Sequence, residues 1–417
     1  MAALKFSSFP VWLIDPLRPT RDKAEPHYRL TEDVRPWAVP LAIGVAFLCI
    51  SGVGWALEAE QFYFSYLVGW TFCLTLALGA LFFVMIQHLT RAQWVVAVRR
   101  LPEALLWSFP VLAVLFVPLL FGLHDLYHWT HPEVYDPAHP DYDPILAGKQ
   151  LYLNVPFFLA RIAFYFFIWT LLAYKLYTLS VRQDVDPDPA IPAQQRKVSA
   201  WGMPLYGVTV AFASYDFLMS LDPHWYSTIF GVYFFSGAFF VALGFITTCY
   251  VVLTRTGTLR GIVRVPHFQD LGKLMFGFTA FWAYIAFSQY MLIWYGNLPE
   301  ETIWFRHRLE HGWEVLSQVL VWGHFVLPFV ILLPWVAKRT ALLLGIMGVW
   351  FALIHWVDLF WVAMPVLHAE QMRFHWLDVT CWLGLFGLMV GLLFYRLSRH
   401  SLVPQNDPYL ARSLALH

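Results

Sequence analysis

Ionisable residues that interrupt apolar sequence are the places to look for chemistry in this chain. Asp216, in the run SYDFLMSLDPHWYST from Ser214 to Thr228, lies six residues before a tight polar turn at Asp222-Pro223-His224. On a helix rising about 1.5 Å per residue, its carboxylate sits roughly 8 to 9 Å below a membrane surface. A carboxylate at that depth costs several kcal/mol unless it is paired, protonated or reached by water. Arg161 shares a helix face with Tyr165 at i+4 and lies at a similar depth to Asp216, so the plain alternative to function is an ion pair that fixes packing. Glu310, Glu314, Ser317 and His324 recur at i, i+4, i+7 and i+14, a polar stripe reaching about 16 Å down. His355 stands one turn from Asp358 in a further apolar run, and Asp378 opens another.

Carboxylates and imidazoles in that arrangement suit proton transfer, or recognition of a polar head group entering from the lipid. Beyond them the spans offer mostly hydroxyls, Thr75 and Tyr206 among them, which carry protons only together with ordered water. Haem ligation is weighed because His311, His324, His355 and His368 recur in pairs 13 residues apart. Thirteen steps of about 100° turn the two histidines of one helix to nearly opposite sides, which argues against two stacked haems and leaves a single haem between His324 and His355. No metal centre is expected: proline interrupts the spacing of His124, His128, His131 and His139, and the four cysteines form no CxxC. Cys49, Cys73, Cys249 and Cys381 read as packing residues.

The elements that must position these groups are membrane helices. The chain is 59% apolar, 19% aromatic and 13% charged. Apolar windows fall at 37–57, 63–88, 104–123, 154–180, 200–221, 227–253, 272–296, 313–336, 341–364 and 376–397. The expectation is an all-α polytopic membrane protein with ten transmembrane helices over 37–397, an N-terminal tail at 1–36 and a C-terminal tail at 398–417. The tail at 1–36 is polar and proline-rich and does not read as a cleavable signal.

Charge location sets the sidedness. Of 27 basic residues, only Lys149, Arg306, Arg308 and Arg373 fall in one set of loops and Arg161 inside a span, while the other 22 cluster with the two tails. Both termini are therefore expected in the cytoplasm, with the chain in the cytoplasmic (inner) membrane. The balance of 27 acidic against 27 basic residues excludes a general field for nucleic acid. The cytoplasmic side reads as plain, with QDVDPDPAIPAQQRK as a solvated connector. The outer side carries a proline-rich loop at 124–153, a lid or docking surface, and a second docking candidate from Asn297 to Glu310 with Trp304, Arg306, His307 and Arg308. Gln289, Tyr290 and Tyr295 near the outer end of the seventh span suit a planar ligand such as a quinone ring, or simply an aromatic belt.

The runs SLDPHWYSTIFGVYFFSGAF and FSQYMLIWYGNLPEET, with ten spans and cytoplasmic termini, resemble the NrfD/PsrC-type integral membrane subunits of respiratory complexes. Within that family they are most similar to the ActF-type subunit of alternative complex III, a quinol:electron acceptor oxidoreductase. The resemblance implies two four-helix bundles plus two extra helices, and membrane lipids around them. It also implies partners that hold the redox centres: an iron-sulfur subunit, c-type cytochrome subunits and a second NrfD-like membrane subunit. Quinol, with menaquinone among the quinones, is the implied substrate, and the iron-sulfur clusters and c-type haems belong to the partners. The leading expectation is a subunit providing an outer-side proton route and a quinol pocket. Asp216, Glu314, His324, His355 and Asp358 then carry protons, Arg161 is a charge partner, and Asp222 and His224 stand at the mouth. A structural anchor subunit and a secondary transporter are the alternatives; midplane helix breaks typical of transporters are hinted at only by Pro328 and Pro334.

Overall fold

The computed structural model describes residues 29–30 and 35–416, so the expected tail at 1–36 lies outside them except at 29–30 and 35–36. The described chain is about 77% helical with no strand. Nine of its helices are long and apolar enough to cross a membrane: α1 (Ala38–Leu57), α2 (Ala59–Leu89), α3 (Arg100–Phe121), α4 (Val155–Gln183), α6 (Phe230–Arg255), α7 (Val265–Gly296), α8 (Trp313–Leu332), α9 (Ala341–Leu367) and α10 (Trp376–Leu397). Between α4 and α6 lies α5 (Ile191–Phe217), whose first turns carry Gln194, Gln195, Arg196 and Lys197 and dilute its hydropathy.

The sequence reading placed this element at 200–221 and took the preceding stretch as solvated connector. The helix instead begins at Ile191, because Pro192 is preorganised for a first turn, and Gln195 and Ser199 are buried in it. It ends at Phe217, after which Met219–Leu221 form a single 3₁₀ turn.

Helix α2 is the mast of the fold. It is apolar on every face, as a wholly interior helix must be, and it packs against α1, α3, α5, α6, α9 and α10. Small residues set the closest approaches: a Cβ on Gly387 of α10 would meet Gly44 of α1 at 2.9 Å.

Proline shapes three helices. Helix α3 is broken into Arg100–Leu105, Ser108–Leu115 and Val117–Phe121. In α8, Leu320–Val326 widens to a π-helix. Pro328 has no N–H to offer the His324 carbonyl, so the α-type hydrogen bond from position 328 is missing at the end of this stretch. In α9, Pro365 likewise leaves the Trp361 carbonyl without its helical donor.

The two ends of the bundle differ. One end gathers the 124–153 loop, the turn at 222–228, the 297–312 segment and residues 368–375, which is called the loop end below. The 124–153 loop is a folded cap built from short turns over buried Tyr127, Trp129, Val134 and Leu146. Asp143 caps the Pro144–Lys149 turn and meets His224 Nε2 at 2.5 Å, while Lys149 Nζ donates to the Pro223 carbonyl at 2.6 Å.

The tail end, expected to be plain, holds a buried ionic network instead. Arg99 pairs with Glu103 at 2.7 Å and with Asp407 at 3.0 Å, Arg100 pairs with Asp184 at 2.7 Å, and Ser180 donates to Glu103. Ser413 donates to the Trp94 carbonyl at 2.7 Å. The segment from 401 to 413 is therefore fastened to the bundle rather than solvated.

Candidate functional site

Two clusters of intramembrane ionisable groups stand out, with no hydrogen bond or ion pair joining them among the described residues, while Asp378 in the first turn of α10 stands apart and accepts from Gln61 Nε2 at 3.1 Å and from the His375 N–H at 2.7 Å. The first joins α4 to α5. Arg161 Nε and Nη2 donate to the two oxygens of Asp216 at 2.9 and 2.8 Å, a bidentate pair. Tyr165 donates to Asp216 Oδ2 at 2.7 Å, and Arg161 Nη1 donates to the Tyr152 carbonyl at 2.9 Å under a Tyr152 ring that stacks on the guanidinium at 3.8 Å. Both charged groups here have partners of opposite character, and Asp216 is wholly buried, while the Tyr152 hydroxyl is left without a hydrogen-bond partner. The loop-end cap closes the pair from above through Tyr127, which donates to the Phe217 carbonyl at 3.1 Å.

The second cluster is assembled by α2, α6, α7, α8 and α9. Asp358 is buried, and its Oδ1 accepts from Tyr233 while its Oδ2 accepts from Trp282 Nε1 at 3.3 Å. One turn away on α9, His355 turns Nδ1 towards Asp358 Oδ2 at 3.8 Å. From the π segment of α8, His324 brings Nε2 to 3.9 Å from the same oxygen.

The network assigns the His355 tautomer. Thr75 spends its hydroxyl hydrogen on the Phe72 carbonyl at 2.7 Å, so at 3.0 Å it accepts from His355 Nε2. That leaves His355 Nδ1 with a lone pair facing a carboxylate oxygen. Both nitrogens of His324 and Nδ1 of His355 are buried without a hydrogen-bond partner.

Rigid surroundings hold the arrangement. The His324 ring is sandwiched between Trp282 at 3.6 Å and Phe240 at 4.2 Å, and Phe240 stacks in turn on Phe351. Gly237 makes room on the remaining side: a Cβ there would lie 2.7 Å from His355 Cε1. Buried unpaired polar atoms are uncommon in folded proteins, and here two imidazoles that carry such atoms stand beside one carboxylate.

Other expected site residues stand apart. Glu314 is exposed and accepts from the Gly312 N–H at 2.8 Å, the ordinary use of a carboxylate in the first turn of a helix. The stripe breaks there because the π segment between Ser317 and His324 changes the angular spacing on which the i+14 reading relied. Asp222 is half-buried in the turn, and His224 is engaged by Asp143 rather than by Asp216. The residues proposed for a quinone ring do not converge: Gln289 is buried, whereas Tyr295 is 84% exposed.

Arg308, expected on a docking surface, is buried and serves the kink in α9. Its Nε donates to the Trp361 carbonyl at 3.1 Å, its Nη2 to Val362 at 2.6 Å and its Nη1 to Trp304 at 2.8 Å, with the guanidinium 3.4 Å over the Trp304 ring. The sequence reading missed Tyr233 and Trp282 as Asp358 donors, because each lies in an aromatic-rich span where nothing local marks it. Pro365, by contrast, was a usable signal that the Trp361 carbonyl needs an outside donor.

Neither a scan of protein-family models nor a search of curated proteins finds a match for this chain.

Proposed function

We propose that this chain is an NrfD/PsrC-type membrane subunit of a quinol-oxidising respiratory complex of the alternative complex III kind, and that the His324–His355–Asp358 cluster is its proton-handling centre. The observation that carries the reading is the pair of acceptor atoms, His355 Nδ1 and Asp358 Oδ2, facing each other at 3.8 Å in the interior with no donor between them. Such a pair is at rest only when something positive lies between its members, and a proton taken up and passed on is the simplest such species. His324 is within reach of the same carboxylate oxygen and extends the set to two imidazoles around one acid. Tyr233 and Trp282 keep Asp358 oriented while the proton moves.

The runs at 220–239 and 287–302 and the helical architecture support the family assignment. On this reading the bundle crosses the membrane ten times, α5 included, because pairing Asp216 with Arg161 removes most of the cost of burying either charge. Both termini face the cytoplasm and the loop end faces outward, in keeping with the 22 basic residues on the tail side. Quinol is the substrate of the complex, and electrons pass to iron-sulfur and c-type haem centres on partner subunits. The Arg161–Asp216 pair is assigned to the scaffold.

The direct test is quinol turnover of the assembled complex carrying Asp358→Asn, an isosteric change that still accepts from Tyr233. A fall of about 10²-fold or more is expected for loss of a proton carrier, and unchanged turnover and proton release remove the cluster from the pathway. The anchor reading draws on the closed Arg161–Asp216 pair and the fastened tail. It predicts that Asp358→Asn impairs assembly while the complexes that do assemble turn over normally.

A further inference from the structure

We infer that His324, His355 and Asp358 form a three-ligand site for a divalent transition metal, with Zn²⁺ as the ion the donor set suits best. The inference stands on the geometry and does not require the proposed respiratory role. One ligand atom from each residue, His324 Nε2, His355 Nδ1 and Asp358 Oδ2, lies within 4.8 Å of the other two, and all three residues are buried. The electronic match is independent of the spacing. Thr75 fixes the His355 tautomer with the Nδ1 lone pair pointing inward, and both His324 nitrogens lack any other engagement. Asp358 also lacks what Asp216 has: no lysine or arginine pairs with it among the described residues, and the only ion-pair contacts it makes are with these two histidines. Lone pairs converging on one point, with a carboxylate uncompensated by any protein cation, are the signature of a cation's place.

Two imidazoles and one carboxylate leave a fourth position open, the ligand count of catalytic rather than structural zinc. At metal–ligand distances near 2.1 Å, tetrahedral donors stand about 3.4 Å apart. The observed 3.8 and 3.9 Å to Asp358 therefore need a contraction of about half an ångström, and the separation between the two histidine nitrogens, within 4.8 Å, closes by rotation of the His355 and His324 rings as the ion binds. The supporting contacts are in place. Thr75 holds the far nitrogen of His355, Tyr233 holds the far oxygen of Asp358, and the absence of a side chain at Gly237 keeps the approach to His355 open. Metal and proton compete for the same lone pairs, so a filled site is a blocked relay.

The test is the metal content of the purified complex, as isolated and after incubation with Zn²⁺ alone followed by removal of excess ion. The wild type is expected to retain about one equivalent per chain, and Co²⁺ replacing it should show the intense visible bands of a tetrahedral site. His355→Gln should abolish retention. Thr75→Val, which touches no ligand atom, should weaken it about 10- to 100-fold. Retention equal in wild type and His355→Gln, or a wild type metal-free under both conditions, overturns the inference. Should His355→Gln not assemble, the Thr75→Val affinity and the Co²⁺ spectrum decide alone: an unchanged affinity or an octahedral spectrum overturns it. The two proposals fail separately. A metal-free wild type with turnover lost in Asp358→Asn leaves the proton role standing, and metal retention with full turnover in Asp358→Asn leaves only the metal site.

Discussion

The Arg161–Asp216 cluster and the His324–His355–Asp358 cluster are built from the same kinds of residue, and both are buried in the helical bundle, yet they are opposites. In the first, a guanidinium meets a carboxylate face to face, and tyrosine and backbone groups take up the remaining valences. In the second, one nitrogen from each imidazole faces the same carboxylate oxygen, and neither nitrogen has a hydrogen-bond partner. A buried charge is costly in either place. What separates scaffold from chemistry is whether the protein itself completes the electrostatics. The closed cluster does so within α4 and α5, and the open one leaves room for a mobile positive species.

Breaking the closed cluster should produce the largest stability effect. Asp216→Leu alone strands the Arg161 guanidinium and is expected to cost about 3–5 kcal/mol, read as a fall in thermal unfolding temperature in detergent, with turnover per folded complex unchanged. The paired change Arg161→Met with Asp216→Leu should recover most of that loss, since apolar replacement of a whole buried pair is commonly near neutral. A double variant as unstable as the single one would show that the pair does more than balance itself.

Gly237→Ala probes the open cluster by crowding. Its new methyl would press on His355 at 2.7 Å, so a cost of about 1–3 kcal/mol is expected together with reduced turnover, because the imidazole must move. Tyr233→Phe should be milder, about 1 kcal/mol from losing one donor to Asp358, and it should change the pH profile of turnover more than its stability. The smallest effect lies in the cap. Burial pushes the Asp143 carboxyl up, but hydrogen bonds from His224 and from the backbone N–H groups of Leu146 and Ile145 outweigh it and hold the group below its ordinary 3.8. The contribution of Asp143 to docking of the 124–153 loop is therefore fully present above its unfolded-state pKa and is lost as pH falls through the lower folded-state value. Amide exchange in the loop should accelerate there, and Asp143→Asn should remove the pH dependence.

Much of this was legible in the sequence, and the exceptions have physical causes. Apolar windows located the helices, and the depth argument found Arg161 and Asp216 and foresaw their pairing. The i, i+3 spacing placed His355 beside Asp358. The Glu314 stripe failed because a π segment over Leu320–Val326 invalidates an α-helical count. The fifth helix was placed too late because a polar first half was read as loop, although Pro192 is a start signal. The tail-end network was invisible because its three parts, the Arg99–Arg100–Glu103 segment, Asp184 and Asp407, are far apart in sequence and nothing local joins them. Tyr233 and Trp282 were hidden among many aromatic residues, since only the fold says which ring meets the carboxylate.

The central claim is that the open cluster does the chemistry and the closed one holds the frame. The most direct measurement is quinol turnover, per assembled complex, of Asp358→Asn beside the double variant Arg161→Met with Asp216→Leu. Turnover should fall about 10²-fold or more in the first and stay near wild type in the second. Full turnover in Asp358→Asn, or its loss in the double variant, would contradict the account.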